Sequence, residues 1–401
     1  MTSKTTFALI GGGLIAPLHA KYIQSSPTCE LVAIVDPFPP GQKLAESLSV
    51  AHYASVSDLV AASPQQPDVY IICVPSGLHV KLATEVLTAT TATAAKPPRA
   101  ILVEKPFCTD VASGEALIKL AKDRGCSLAV GHHRRFHPAI SAAKAAVAGG
   151  RLGKLTAMSG VWTCKKNDGY FSLRWRVSRS QGGGPVWTNF IHDADVLQYL
   201  VGARVVRIWV TGTVSRRDHH GHHRANEGGG DDDGAAAKQR QQQPGASDDD
   251  DIEEGAAIVM QFANGVVGTF VMNDNVASPY GWEAATGDMP SFPKADVPID
   301  CYRIFGTVGT ISVPDDVLWT YDLAEAARRD QEVGWAVPMT REVLDFEKKH
   351  PFQLQIEHLV RVVEGKEEPR CSGQDGLDAV KVCEAVIEAL VKGDGYPIDI
   401  R

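Results

Sequence analysis

The chain has 401 residues, of which 44% are hydrophobic and 22% charged, and it carries a formal net charge of −8. That length exceeds one ordinary core and predicts two domains of a globular protein. Residues 216–254 hold eleven acidic and five basic side chains, so the rest is nearly balanced, which speaks against a nucleic-acid surface. No apolar run is long enough to span a bilayer, and MTSKTTFALIGGG lacks the apolar core and cleavage site of a signal peptide. A cytoplasmic location without a membrane partner is expected. The eight cysteines form no Cys-x-x-Cys pair, which predicts reduced thiols and no metal site.

The first half alternates strands and helices. Apolar runs at Phe7–Ile10, Leu31–Val35, Val69–Val74, Ala100–Val103 and Ser127–Val130 read as strands, with helical periodicity between them, as in Gly114–Lys122. Such alternation predicts a doubly wound parallel sheet, a Rossmann domain over residues 1–131, with ligands at the carboxyl ends of the strands. The second half, residues 132–401, differs. Leu155–Cys164, Val205–Val214, Ala257–Asn273 and Tyr302–Val313 read as strands without long helices between them, and Asn264-Gly265 as a hairpin turn. This predicts an α+β domain with an open, mainly antiparallel sheet, closed by helices Phe352–Glu364 and Leu377–Lys392. Residues 216–254 lack apolar periodicity and read as a disordered surface insertion. Its HHGHH tract, His219 to His223, reads as solvated.

Gly11-x-Gly13-x-x-Ala16 follows the first strand and opens a helix, and Asp36 ends the second strand 23 residues after Gly13, near the spacing of about 20 for a dinucleotide fingerprint. Gly11 permits the tight turn, Gly13 lets a pyrophosphate approach the backbone, and Ala16 keeps helix and strand close. The helix N-terminus supplies amide donors and positive potential. Asp36 can accept from ribose hydroxyls and would repel a 2′-phosphate. No arginine follows it, which favours NAD over NADP as cofactor.

Further along come Pro75-Ser76-Gly77-Leu78-His79, Glu104-Lys105-Pro106, Gly131-His132-His133-Arg134-Arg135-Phe136, and Gly182-Gly183-Gly184-Pro185 with His192-Asp193-Ala194-Asp195. In this order the motifs resemble the glucose–fructose oxidoreductase/inositol dehydrogenase/MocA family over nearly the whole chain outside the insertion. The resemblance implies NAD(P)-dependent hydride transfer to or from a secondary alcohol of a sugar, polyol or related cyclic hydroxy compound. It also implies a homo-oligomer joined through the C-terminal sheet. It places Pro75, His79 and Glu104 beside Gly11, Gly13, Ala16 and Asp36 at the cofactor, and Lys105 and His192 at the reacting hydroxyl.

Elementary chemistry supports that pair. A lysine beside cationic nicotinamide has a lowered pKa and can exchange a proton with oxygen. A histidine in the first turn of a helix favours its neutral form; the other reading of His192 is a satisfied core histidine. Glu104 reads as a holder of Lys105 or as a strand-end surface pair, and a cis Lys105–Pro106 bond is expected. Lys166, Tyr170, Trp175 and Arg176 suit a polyhydroxy ligand, with Lys165 read as an exposed charge. Many members carry an aspartate four residues before the histidine. Here Thr188 holds that position and Asn189 follows, each read as a substrate contact or a helix cap. Asp193 and Asp195 stand as substitutes for the missing carboxylate, Asp195 equally as a buried structural partner. Ser278-Pro279-Tyr280-Gly281-Trp282-Glu283 reads as a loop near the site or a subunit contact. A second functional class, a catalytically silent nucleotide-binding sensor, shares this fold; retention of Lys105 and His192 argues against it.

Overall fold

The computed structural model describes residues 4–62, 66–92, 97–179, 182–214, 252–289, 291–393 and 396–400. The first sheet contains β1 (Thr5–Ile10), β2 (Cys29–Val35), β3 (Ala51–Tyr53), β4 (Val69–Ile72), β5 (Ala100–Val103) and β6 (Ser127–Val130). Their order is β3-β2-β1-β4-β5-β6, with every pair parallel. Both faces of the sheet are covered, which is why the central strands read as unbroken apolar runs; all of β4 and β5 is buried. The connections diverge between β1 and β4, and a ligand crevice forms at the carboxyl ends of strands flanking such a switch. Gly11 sits there.

The second sheet holds β7 (Leu155–Thr163), β8 (Val205–Gly212), β9 (Gly255–Phe262), β10 (Val267–Asn273), β11 (Tyr302–Gly306), β12 (Gly309–Val313), β13 (Val317–Thr320), β14 (Thr340–Val343) and β15 (Ile398–Asp399). The order is β14-β13-β12-β11-β7-β10-β9-β8-β15. All neighbours are antiparallel except β7 and β10. The turn after Asn264 uses Gly265 at φ +88°, as the hairpin expectation required. Strands β3, β13, β14 and β15 are absent from the sequence expectation because they are short; β14, for one, is exposed throughout and carries no burial pattern.

The C-terminal helices reach back to the first domain. In Pro351–Val363, residues Phe352, Ile356 and Leu359 join one apolar cluster with Phe7, Leu9 and Leu102. Helix Gly373–Lys392 begins four residues earlier than its apolar pattern suggests. A capping box between Ser372 and Asp375 starts it, and Gly373 and Gly376 lie too close to Leu128 and Val130 for a larger residue. Helix Ile191–Val201 is buried at ten of its eleven positions. A helix apolar on most sides is one sandwiched between layers, and this one lies between helices Pro138–Ala148 and Gly373–Lys392. All eight cysteines are free thiols.

One boundary requires correction. Residues 215–251, including His219 to His223, lie outside the described residues, but the last three residues assigned to the insertion belong to the folded body. Ile252 and Glu254 are 3% exposed, and Glu253 accepts a hydrogen bond from Val186 N. The segment joins adjacent antiparallel strands, with Gly212 paired to Ala256, so a short connection can bridge them. Replacing residues 216–251 with a short Gly/Ser linker should leave Tm and turnover nearly unchanged, since closure entropy grows only logarithmically with loop length. A large fall in either would mean that the segment contacts the body or a partner.

Candidate active site

The cofactor side is built at the switch point. Gly11 has φ +102°, and a β-carbon on it would lie 2.6 Å from the Cys73 carbonyl oxygen, so only glycine fits. A β-carbon on Gly13 would meet nothing within 4 Å, and Leu14 beside it is fully exposed. Buried Ala16 opens helix Ala16–Ser25, whose first turn holds no acidic side chain. Asp36, at the end of β2, accepts from Gly12 N at 2.7 Å and from Phe38 N at 2.8 Å. Its carboxylate is thereby fixed against the turn, with lone pairs left for further donors. Pro75 is exposed at the end of β4. A dinucleotide fits these residues: the open space at Gly13, the unopposed helix N-terminus and the fixed carboxylate match the pyrophosphate and ribose chemistry.

Two buried groups fix the backbone around Lys105. Glu104, at the end of β5, accepts from Lys105 N at 3.2 Å and pairs with His19 Nε2 at 2.7 Å. It therefore holds the Lys105 backbone, not the ammonium. Gly131 makes room for it, since a β-carbon there would lie 2.8 Å from the carboxyl group. His79 is buried, with Nδ1 at 2.7 Å from Pro106 O and Nε2 at 2.9 Å from Val74 O. Both ring nitrogens are thus engaged with backbone, and the ring ties the β4 exit to the Lys105–Pro106 turn. That bond is cis, as expected. Lys105 Nζ donates to Thr188 O at 3.4 Å. Burial pushes its pKa below the usual lysine value, against the pull of Glu104.

The glycine run is a crossing of backbones. A β-carbon at Gly183 would lie 2.6 Å from Trp175 O, and one at Gly184, φ +87°, would lie 2.5 Å from Glu253 Oε1. Val186–Phe190 then forms a π-helical turn running without a break into helix Ile191–Val201. His192 stands in the first turn of that α-helix, but the π-turn before it leaves no open helix end there, and the N-cap is Phe190 and neither Thr188 nor Asn189. π-Turns of this kind frequently mark functional sites. His192 is 7% exposed, and the His133 ring meets it edge-on at 5.3 Å. Burial, Lys105 and Arg134 hold its pKa well below the usual value, so the ring is neutral. Its Nδ1 is buried without a hydrogen-bond partner.

Asp193 and Asp195 do not replace the missing carboxylate. Arg134 bridges Asp193 Oδ1 at 2.8 Å and Glu283 Oε1 at 2.7 Å. Tyr302 OH donates to Asp193, and Trp162 Nε1 to Glu283. Burial raises the Asp193 carboxyl to about 6 despite Arg134. Arg135 grips Asp195 with Nε and Nη2. The Ser278–Glu283 loop accordingly turns inward at Trp282 and Glu283, while Tyr280 stays half exposed.

Around the glycine run, Lys166 Nζ donates to Asn189 Oδ1 at 2.9 Å and lies 3.4 Å from Asp274 Oδ2. Thr188 Oγ1 lies 2.8 Å from both Gly184 O and Asn189 Oδ1, two acceptors for its single proton. The Tyr170 ring lies between two cations, with Lys166 Nζ 4.5 Å and the Arg176 guanidinium 3.9 Å from its centroid. Trp175 is 42% exposed beside Arg176, and Lys165 is exposed. Five of the six substrate candidates therefore form one connected wall through Lys166, with Trp175 at its rim. Asp274, Glu253 and the Arg134 network were missed. The adjacent arginines 134 and 135, set against acids at 193 and 195, were the one legible signal. Among the described residues no three His, Cys, Asp or Glu side chains cluster to hold a metal ion.

Family models match two stretches of the chain. Residues 5–132 match an oxidoreductase family, NAD-binding Rossmann fold, and residues 144–399 match its C-terminal alpha/beta domain. Inositol 2-dehydrogenase of Rhizobium meliloti (strain 1021) is 30% identical over 209 residues, covering 52% of this chain and 58% of that protein. The scyllo-inositol 2-dehydrogenase (NAD(+)) of Bacillus subtilis (strain 168) is 27% identical over 210 residues, covering 52% and 57%. The chain thus spans a little over half the length of these curated relatives. The WlbA dehydrogenase from Bordetella pertussis, solved in complex with NADH and UDP-GlcNAcA, shares the fold with a TM-score of 0.67, at 22% identity over 99% of each chain.

Proposed function

The chain belongs to the glucose–fructose oxidoreductase/inositol dehydrogenase/MocA family, with its NAD-binding Rossmann domain and C-terminal alpha/beta domain, and from that premise we propose that it is an NAD-dependent dehydrogenase or reductase of a secondary alcohol on a sugar, polyol or related cyclic compound. The observation that carries the reading is the hydrogen bond from Lys105 Nζ to Thr188 O. It brings the strand-end lysine of the first domain to the π-turn that leads into the helix of His192 in the second.

Bound at the glycine turn, the dinucleotide supplies the hydride acceptor or donor. The chain supplies the proton chemistry. Lys105 Nζ, with its pKa lowered by burial, takes the hydroxyl proton on oxidation and returns it on reduction. His192 Nε2, neutral in this site, faces the same oxygen as second acceptor or orienting group. Lys166, Tyr170, Trp175, Arg176, Thr188 and Asn189 hold the other hydroxyls. Oxygen lone pairs suit the ammonium and guanidinium, and sugar C–H faces suit the rings. No helix among the described residues is long and apolar enough to cross a membrane. The reading includes a homo-oligomer joined through the second sheet, where Val259, Val267, Val271 and Trp319 expose apolar surface.

Asp36 sets the cofactor preference. Its carboxylate, fixed by Gly12 and Phe38, favours two free ribose hydroxyls and repels a phosphate in their place. The kcat/KM for NAD should exceed that for NADP, and Asp36→Ala should narrow the gap; equal efficiency of the unaltered protein with both would remove the argument. The reading as a whole is tested by screening sugars, inositols, sugar acids and quinate-like cyclic acids for formation of reduced nicotinamide. Tight NAD binding with no turnover across that range would favour a silent sensor instead.

A further inference from the structure

Glu253 is one of the three residues that return the chain from the insertion segment to β9, and it lies beneath the substrate wall. Its side chain is 5% exposed. Oε1 accepts from Val186 N at 3.1 Å, the first amide of the π-turn. Oε2 lies 3.6 Å from Arg179 Nη2. Gly184 is pressed against the same carboxylate. The next residue completes a ring of contacts: Asp274 N donates to Glu254 O at 2.9 Å, Asp274 pairs with Lys166, and Lys166 donates to Asn189. One end of this ring holds the start of the π-turn, and the other holds the cation that meets its fourth residue.

We infer that Glu253 is a positioning residue for the reaction: its carboxylate anchors the Val186 amide, and with Glu254 it sets the spacing between Lys166 and the turn that carries Thr188 and Asn189 and leads into the helix of His192. Several features of the sequence become connected on this view. The second and third glycines of the run are needed because Trp175–Arg176 backbone and a carboxylate crowd them from two sides. The acid at 253 faces a buried amide and, at 3.6 Å, a guanidinium, which favour its charged form against the burial that raises its pKa. The effect on chemistry passes through the turn, since Glu253 itself touches neither Lys105 nor His192.

The kinetic part of the test rests on the oxidoreductase reading, whereas the exchange part does not. Glu253→Met fills the space without an acceptor; Glu253→Gln keeps an acceptor for Val186 N. In Glu253→Met, amide hydrogen exchange over residues 184–192 should quicken about ten- to hundredfold, the worth of a hydrogen bond to a charged group. Exchange in β1, β4 and β5 should not change. On a substrate found by the screen, kcat should fall about ten- to hundredfold, as a misplaced reacting group requires, with KM for NAD unchanged. Glu253→Gln should recover most of both losses. If Glu253→Met does not fold, Glu253→Asp, which withdraws the carboxylate by one methylene, carries the same expectation in smaller measure. Unaltered exchange over 184–192, or equal loss in the Met and Gln variants, overturns the assignment. If the unaltered protein turns over no polyol, the oxidoreductase reading fails, and the exchange result alone decides the role of Glu253.

Discussion

His192→Ala should lower kcat by about 10²–10⁴-fold, the usual contribution of a general acid–base group, while the Kd for NAD changes little. The ring lies in the second domain, away from the glycine turn, and its neutrality follows from burial beside Lys105 and Arg134. Lys105→Ala should cause a loss of similar size, and the double variant should lose less than the product because both serve one proton transfer. The pH dependence separates their roles. Alcohol oxidation needs the unprotonated amine, so kcat/KM should rise as Lys105 loses its proton, over a range below the ordinary lysine value. His192 is already neutral there and adds no limb of its own. Lys105→Arg, which stays protonated, should abolish the rise. Near-unaltered turnover of His192→Ala with lowered stability would return His192 to the status of a core histidine.

Arg134→Met should destabilise the fold by about 3–5 kcal/mol, because it leaves buried carboxylates without their partner. Asp193 and Arg134 are each 1% exposed at the side chain and Glu283 is 11% exposed, so water cannot take the place of the guanidinium. Arg134→Lys should recover only part of the loss, since an ammonium cannot span two carboxylates as a planar fork does. Urea unfolding gives the number, and a change under about 1 kcal/mol would show that the site relaxes or hydrates more than its burial implies. Asp193 adjoins His192 in sequence, so this network also fixes the helix that carries His192. Replacing Arg134, Asp193 and Glu283 together by apolar residues separates the two effects: stability should largely return, and kcat should not.

The sequence disclosed these elements unevenly, for physical reasons. The five longer strands of the first sheet were legible because a strand buried on both faces is a continuous apolar run, and Gly11, Gly13 and Asp36 because a dinucleotide imposes their spacing. The π-turn was not legible. Val186–Phe190 has the same residue types as an ordinary helical turn, and only its backbone hydrogen bonds distinguish it, so His192 was placed at an open helix end that the π-turn in fact occupies. Glu253 was hidden for a different reason. It follows four aspartates and Ile252 in a polar stretch, and composition does not show which carboxylate a fold will bury. Asp193 and Asp195 show the reverse: their proximity to His192 suggested acid–base work, while the arginines that claim them lie about 60 residues earlier in the chain.

The central claim, hydride transfer between a secondary alcohol and a nicotinamide cofactor, is tested most directly by isotope transfer. Candidate polyols are supplied with deuterium on their carbinol carbons, and the nicotinamide product is examined by mass spectrometry and NMR. Deuterium should appear at the nicotinamide ring of the reduced cofactor, one atom per turnover, and the rate of transfer in Lys105→Ala should fall by about 10²–10⁴-fold, as its kcat does. Cofactor bound but never labelled, with every candidate polyol recovered unchanged, would contradict the account.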